Sequence, residues 1–340
     1  MNESAPIPIA AIEPTLLLTR SDVVELLPLA DCIVAVERAF ALHAEGESLP
    51  PGVLAVAAGS GAFHIKAAGL RLSRPYFAAK TNANFSQNPA RFGRPAIQGI
   101  IALCDAEHGT PLALMDSIAV TALRTAAATA VAARYLARAD ARVLTVCGCG
   151  TQGDVQVRAL ALVCRLERVF TFDVDRSRAD ALAARFAESL GLDASAATEL
   201  GEATRQSDVV VTCTPSRSPL LGCGDIAPGT FLAAVGADSH DKQELDPALV
   251  ARAAVIVDHL EQCATIGELH HALAAGLMTR EDVRAELSEM VSGRRIGRGG
   301  ETEIAIFDST GTALEDVAAA AAVYERALAA GRGIPLELGR

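Results

Sequence analysis

No cluster of basic residues interrupts this chain. Its 340 residues carry 30 Lys and Arg against 41 Asp and Glu, for a net charge of −11. Phosphate backbones are held by Lys and Arg, so that balance argues against a nucleic-acid partner. C-x-x-C is missing too: the eight cysteines sit mostly inside apolar runs, as at Cys104, Cys147, Cys164 and Cys213. No basic segment leads into an apolar core at the N-terminus. Together these absences point away from a disulfide framework and a secretory leader, toward a reduced, cytoplasmic protein. The longest uncharged stretch, 48–65, contains two prolines, three glycines and a histidine, so no membrane span is expected. His270-His271 is the one adjacent histidine pair, without a cysteine or second pair to complete a metal set. No metal site is expected.

What the chain does have begins at VLTVCGCGTQGDVQ, residues 143–156. A short apolar strand ends in Gly148-Cys149-Gly150-Thr151-Gln152-Gly153, and a helical pattern follows at once. This is G-x-G-x-x-G in the context that dinucleotide binding requires. Gly148 permits the tight turn, Gly150 lets backbone approach a pyrophosphate, and Gly153 lets the helix pack on its strand. The free amides at the helix start face the phosphate charge. A second strand, 168–173, ends in Asp173, 25 residues after Gly148. A carboxylate there accepts from ribose hydroxyls and repels a 2′-phosphate, which favours NAD. Arg176 lies close enough in sequence to leave NADP open.

The length predicts two domains. The first hundred residues read as α+β: a helix from Ser21 to about Glu45, then strands at 62–68, 76–83 and 97–106, with a hairpin turn at 106–111. An alanine-rich helix covers 120–138. Strands alternating with helical patterns follow, at 143–147, 168–173, 208–214, 230–237, 254–260 and 303–309, which predicts a doubly wound parallel sheet. The last helix, 314–331, has no strand after it to cover and is expected to return to the N-terminal region.

Ligands of such sheets lie at the carboxyl ends of the strands. Thr214, Asp238 and the run Asp308-Ser309-Thr310-Gly311 stand there. Asp238 reads either as a turn cap or as a carboxylate beside a nicotinamide, stabilising a cationic imine. Arg124 sits in a helix whose neighbours predict packing on most sides, and a guanidinium cannot shed its charge to suit burial. Its partner is either an internal Asp or, in fork geometry, a substrate carboxylate. His64 and Lys66 share one strand face, and Lys80 shares another with Tyr76, Ala78 and Asn82. These are a solvated face or, if gathered with Arg124 in a closed pocket, mutually repelling cations with lowered lysine pKa values.

The blocks PLALMDSIAVTALRTAAATAVAARYLAR (111–138), VGADSHDKQELD (235–246) and FDSTGTALEDVAAA (307–320), with the GCGTQG turn, resemble the ornithine cyclodeaminase/mu-crystallin family. The resemblance runs from about residue 50 to 325. It implies a Rossmann domain (123–314) inserted in an α+β substrate and dimerisation domain (1–122 plus 315–340). It also implies a homodimer, substrate-carboxylate binding by Arg124, and catalytic roles for Lys80 and Asp238. Cofactor contacts implied are Thr125, Thr151, Gln152, Asp173, Thr214, Val235, Gly236, Lys242 and Ser309. Many family members carry an arginine shortly after a Pro-Pro pair. Here Pro50-Pro51 is followed by Gly52-Val53-Leu54, and no Lys or Arg occurs between Arg38 and Lys66. Lys66 is expected to take over part of that task. His64 replaces an acidic residue of the cyclodeaminases, which disfavours a substrate with a distal amine. The expectation is an NAD(P)H-dependent reductase of small imino or ketimine carboxylates. The alternatives are a cyclodeaminase using NAD catalytically and a small-molecule binding protein of the mu-crystallin kind.

Overall fold

In the computed structural model, residues 14–338 are described. The first 13 and last two residues, which the expected boundaries 1–122 and 315–340 take in, lie outside them. Seven strands form one sheet: β1 (Thr15–Leu18), β2 (Ser48–Ala58), β3 (Gly61–Arg71), β4 (Pro75–Asn84), β5 (Ile97–Asp105), β6 (Pro111–Asp116) and β17 (Ile334–Leu336). Their order is β17-β1-β6-β5-β4-β3-β2. Every pair is antiparallel except β1–β6.

The second sheet is wholly parallel: β7 (Val143–Cys147), β8 (Arg168–Phe172), β9 (Asp193–Ala196), β10 (Val209–Thr212), β12 (Phe231–Ala234), β14 (Ala254–Val257), β15 (Ala285–Glu286) and β16 (Ala305–Asp308). Its order, β15-β14-β16-β12-β10-β7-β8-β9, reverses direction at β7, the switch point where a crevice opens between β7 and β10. A short ribbon pairs β11 (Arg217–Leu221) with β13 (Gln243–Leu245). The parallel sheet is thus inserted in the chain between β6 and β17, as the α/β reading expects.

The helices are α1 (Arg20–Leu26), α2 (Leu29–Glu45), α3 (Asn88–Phe92), α4 (Ser117–Leu136), α5 (Thr151–Ala161), α6 (Arg176–Leu190), α7 (Leu200–Thr204), α8 (Pro247–Val250), α9 (Leu260–Ile266), α10 (Glu268–Ala274), α11 (Leu287–Val291) and α12 (Ala313–Ala330). Helix α4 starts three residues earlier than expected, because the Asp116 carboxylate caps the amides of Ile118 and Ala119 at 3.0 Å. Alanine on nearly every face lets α2, α5 and α12 all pack against it. Helix α12 does return to the first sheet, lying on β3 and β4.

Three expectations need correction. The helix expected from Ser21 to Glu45 is two helices, divided at Pro28, whose ring removes the amide that would carry the first helix into the second. The first of them is capped by Thr19, in a reciprocal box with Asp22, and so begins at Arg20. The stretch 48–58 is a strand that the prolines concealed; as the sheet's outer strand β2 it has no second neighbour demanding those amides. Several parallel strands are also shorter than their apolar runs. The run 254–260, for example, gives β14 at 254–257 and then the start of α9.

Candidate active site

The glycine turn has the geometry its sequence suggests. Gly148 adopts φ 105°, and a Cβ there would stand 2.8 Å from the Cys213 carbonyl oxygen. A Cβ at Gly153 would fall 2.1 Å from the Gly148 carbonyl oxygen, so α5 approaches β7 only because that residue is glycine. Gly150 caps α5 without a side-chain hydrogen bond, and a Cβ there would meet nothing within 4 Å. The helix therefore presents its first turn, beginning at the exposed Thr151, to open space. The Gln152 Oε1 atom is buried without a partner. An open cradle and first-turn amides free of a side-chain cap fit a dinucleotide pyrophosphate. Asp173, just past β8, accepts from the Cys149 amide at 2.8 Å and from the Asp175 amide at 2.9 Å. Its carboxylate is thereby fixed beside the turn. Arg176 points elsewhere, donating to the Ala196 and Ala197 carbonyls and pairing with Asp180.

Thr214, Val235, Gly236 and Ser309 all lie just beyond strand ends, where the ladder gives out. The Val235 amide still donates to Thr212 and that of Ser309 to Ala234. The amides of Thr214 and Gly236 instead donate to the carboxylate of Glu244, at 2.6 and 2.9 Å. Asp238 follows on the loop. Half of its side chain is open to solvent, and its Oδ1 accepts from Lys242 Nζ at 2.5 Å. Surrounding protein raises its pKa, but Lys242, Lys66 and His64 more than offset that and hold it below the usual carboxylate range. Thr125 is buried on α4, next to Arg124.

Lys66 and Lys80 stand directly opposite one another on β3 and β4, and His64 opposite Asn82, so all four share one sheet face. Helix α12 covers that face with its first turn. Lys80 Nζ donates to Asp316 Oδ1 at 2.8 Å and lies 2.8 Å from Oδ2. Burial pushes its pKa down and Arg124 and Lys66 push it further; Asp316 opposes them, and the result is about 7. Lys66 Nζ donates to the carbonyls of Thr310 and Gly311 at 2.9 and 2.7 Å. Its pKa is lowered by burial first and Arg124 second. The His64 imidazole is also pushed down, by burial and then by Lys66 and Lys242 against the pull of Asp238. The shift favours the neutral imidazole.

Arg124, 4% exposed, donates from Nη1 to Glu315 Oε2 at 2.9 Å, while Nε lies 2.9 Å from Asp316 Oδ1. Its guanidinium thus has internal carboxylate partners, a glutamate as well as an aspartate. Gly311 leaves room for the guanidinium: it has φ 76°, and a Cβ would come within 2.3 Å of Nη1. Arg124, Lys66 and Lys80 are one electrostatic cluster, and Asp238 joins it through Lys66. Sequence reading missed Glu315 and Asp316. A signal existed: Thr312-x-x-Glu315 is a capping box, and Glu315 Oε1 does accept the Thr312 amide at 2.9 Å. Among the described residues no cluster able to hold a metal occurs, and no helix is long and apolar enough to cross a membrane.

Residues 13–331 match the sequence model of the ornithine cyclodeaminase/mu-crystallin family. The chain belongs to that family. It is 44% identical over 241 residues to the iminosuccinate reductase of Paracoccus denitrificans, covering 71% of this chain and 73% of the relative. An archaeal alanine dehydrogenase, solved as a dimer with bound NAD, superposes with a TM-score of 0.91 at 38% identity, over 95% of this chain and 99% of the other. The Delta(1)-pyrroline-2-carboxylate reductase of Thermococcus litoralis, solved with NADH and L-proline, gives 0.90 at 32% identity, over 95% and 100%. Within the ornithine cyclodeaminase/mu-crystallin family, then, this chain is similar to nicotinamide-dependent enzymes that act on imino and amino acids.

Proposed function

We propose that this member of the family is an NAD(H)-dependent reductase of small 2-imino or cyclic ketimine carboxylates, able to run in reverse as an amino-acid dehydrogenase. The observation that carries the reading is the register of Lys66 against Lys80 under Arg124, with Asp238 in electrostatic reach at a strand end of the parallel sheet. NADH, when bound, supplies the hydride. Gly148, Gly150, Gly153, Thr151 and Gln152 would hold its pyrophosphate, and Asp173 its adenosine ribose. Thr125, Thr214, Val235, Gly236, Lys242 and Ser309 would line the remainder. The alternative engagement of Arg176 supports NAD over NADP.

Arg124 and Lys66 bind and orient the substrate carboxylate. Lys66 has one donor left after its two carbonyl contacts. Lys80 holds the proton that goes to the substrate nitrogen, since an ammonium with a pKa near 7 both keeps and releases it at neutral pH. Asp316 fixes that ammonium in place. Asp238 faces the cationic nitrogen of the imine, and neutral His64 closes the rim without attracting a distal amine.

Leu54, Val56, Phe63 and Ile100 are exposed on the sheet face opposite Lys66 and Lys80, which supports a homodimer formed through that face. The insertion of the parallel sheet between β6 and β17 supports a division of this kind, with the boundaries of 123–314 falling inside α4 and α12. Eight unpaired cysteines support a cytoplasmic setting.

The test is NADH oxidation over a panel of 2-oxo acids with ammonia or methylamine, together with cyclic ketimine carboxylates. Turnover of at least one supports the proposal. Proline formed from ornithine without net NADH change would replace it with a cyclodeaminase, and dinucleotide retention without either activity with a binding protein.

A further inference from the structure

Beneath the strand ends lie three carboxylates arranged in series, none of which belongs to the charged cluster under α12. Asp308 accepts the amides of Glu268 and Leu269, at 3.1 and 2.9 Å, fixing the start of α10. Glu268 accepts the amides of Glu244 and Leu245, at 2.7 and 3.0 Å, fixing β13. Glu244 in turn accepts the amides of Thr214 and Gly236, which follow neighbouring strands β10 and β12. All three side chains are fully buried. The groups that act on them most strongly are one another, Asp258, Cys263, nearby threonine hydroxyls and backbone amides, with no lysine or arginine among them.

Buried amides demand an acceptor, yet a strand's carboxyl end has run out of ladder partners. A solvent-filled crevice would ordinarily supply water. Here one carboxylate bridges the two strand ends and fixes their separation. Gly236 is glycine for the same reason: a Cβ there would lie 2.4 Å from the Thr214 carbonyl oxygen and 2.5 Å from the Glu244 carboxylate. The backbone so clamped is the wall of the crevice assigned above to the dinucleotide.

We infer that Glu244 is a positioning residue for the dinucleotide, fixing through the Thr214 and Gly236 amides the β10-side wall of the crevice, with Glu268 and Asp308 holding Glu244 in place. This rests on the dinucleotide reading above. The carboxylate need not touch the cofactor. Its effect passes through the backbone that does.

The decisive variant is Glu244→Gln in the full chain, with Glu268→Gln as a second, one step back in the series. An amide nitrogen facing a backbone N–H cannot accept from it, so each variant breaks one of two bonds while keeping shape. NADH affinity is read by fluorescence, KM separately for NADH and imino acid, and exchange rates at the Thr214 and Gly236 amides. For Glu244→Gln, NADH affinity falls at least about tenfold, as expected for losing a charge-assisted hydrogen bond. KM for the imino acid at saturating NADH stays within about twofold of wild type, the change expected of uniform cofactor binding alone. Exchange at both amides accelerates, and Glu268→Gln shifts all readings the same way by less. Should Glu244→Gln not fold, Glu268→Gln decides on the same readings. A folded variant with faster exchange but unchanged NADH affinity overturns positioning and leaves a purely structural clamp. Both KM values rising together overturns it too. A wild-type protein that binds no NADH overturns the dinucleotide reading itself, and this inference with it.

Discussion

Two buried charged regions of this protein handle ionisable groups in opposite ways. Under α12, Arg124 and Lys80 meet two carboxylates at hydrogen-bonding distance while Lys66 is held by backbone carbonyls, and both lysines are pushed downward. Under the strand ends, the carboxyl groups are held by backbone amides and neutral side chains, with no cation among their strongest neighbours. Burial pushes them upward, Asp308 to about 7 and Glu268 to about 9, with Glu244 raised as well. The first arrangement keeps protons near the point of exchange and suits acid–base work. The second uses buried carboxyl groups, whose raised pKa values favour the neutral form, as fixed acceptors, and suits holding backbone in place. Desolvation acts in both, and the partner decides the outcome.

The contrast can be broken most strongly at Lys80. Lys80→Met should lower kcat for imine reduction by about 10³-fold, in the range of a lost general acid, while NADH affinity stays unchanged. A variant with near-normal kcat would remove the acid–base half of the comparison. Arg124→Met should raise KM for the imino acid by two orders of magnitude or about that. It should also cost about 3–5 kcal/mol in chemical denaturation, because Glu315 and Asp316 lose their buried partner. Loss of stability without any change in KM would reduce Arg124 to an internal ion pair. Gly148→Ala tests the neighbouring crevice: a φ of 105° and the Cys213 carbonyl at 2.8 Å predict a loss of about 1–3 kcal/mol and weaker NADH binding.

The pH profile sharpens the comparison with a smaller effect. Lys80 loses its proton as pH rises through about 7, so kcat/KM for reduction should fall above that point. The oxidative direction, which needs the neutral amine, should rise. Asp316 holds the Lys80 pKa up, so in Asp316→Asn the fall should begin at lower pH. A fall that moves upward, or does not move, contradicts the assignment. The smallest change is expected for His64→Glu, which should improve KM for substrates with a distal amine a few-fold without altering NADH affinity.

Much of this site was legible before any coordinates. Period-two alternation put His64 with Lys66, and Lys80 with Asn82, on common strand faces; the glycine spacing named the turn; and the burial of Arg124 followed from its alanine neighbours. Its place directly after an apolar strand singled out Asp238, and the family resemblance implied its catalytic role. Other features escaped for physical reasons. Glu315 and Asp316 lie 191 and 236 residues from the cations they meet, and no local pattern encodes such a contact. Strand β2 was hidden by Pro50-Pro51, tolerable only at a sheet's edge. Glu244 sits in SHDKQELD, a polar run that reads as solvated, and its burial depends on α10 and on β16 arriving from elsewhere in the chain.

The position of Glu315 has a consequence for how such a site can diversify. One oxygen closes the helix cap while the other receives the guanidinium, so an exchange at this residue disturbs the helix start and the placement of Arg124 at once. The floor of the site therefore has little room for substitution. New substrate preferences have to arise at its margin, where β2 offers solvent-facing side chains whose replacement leaves the foundation untouched.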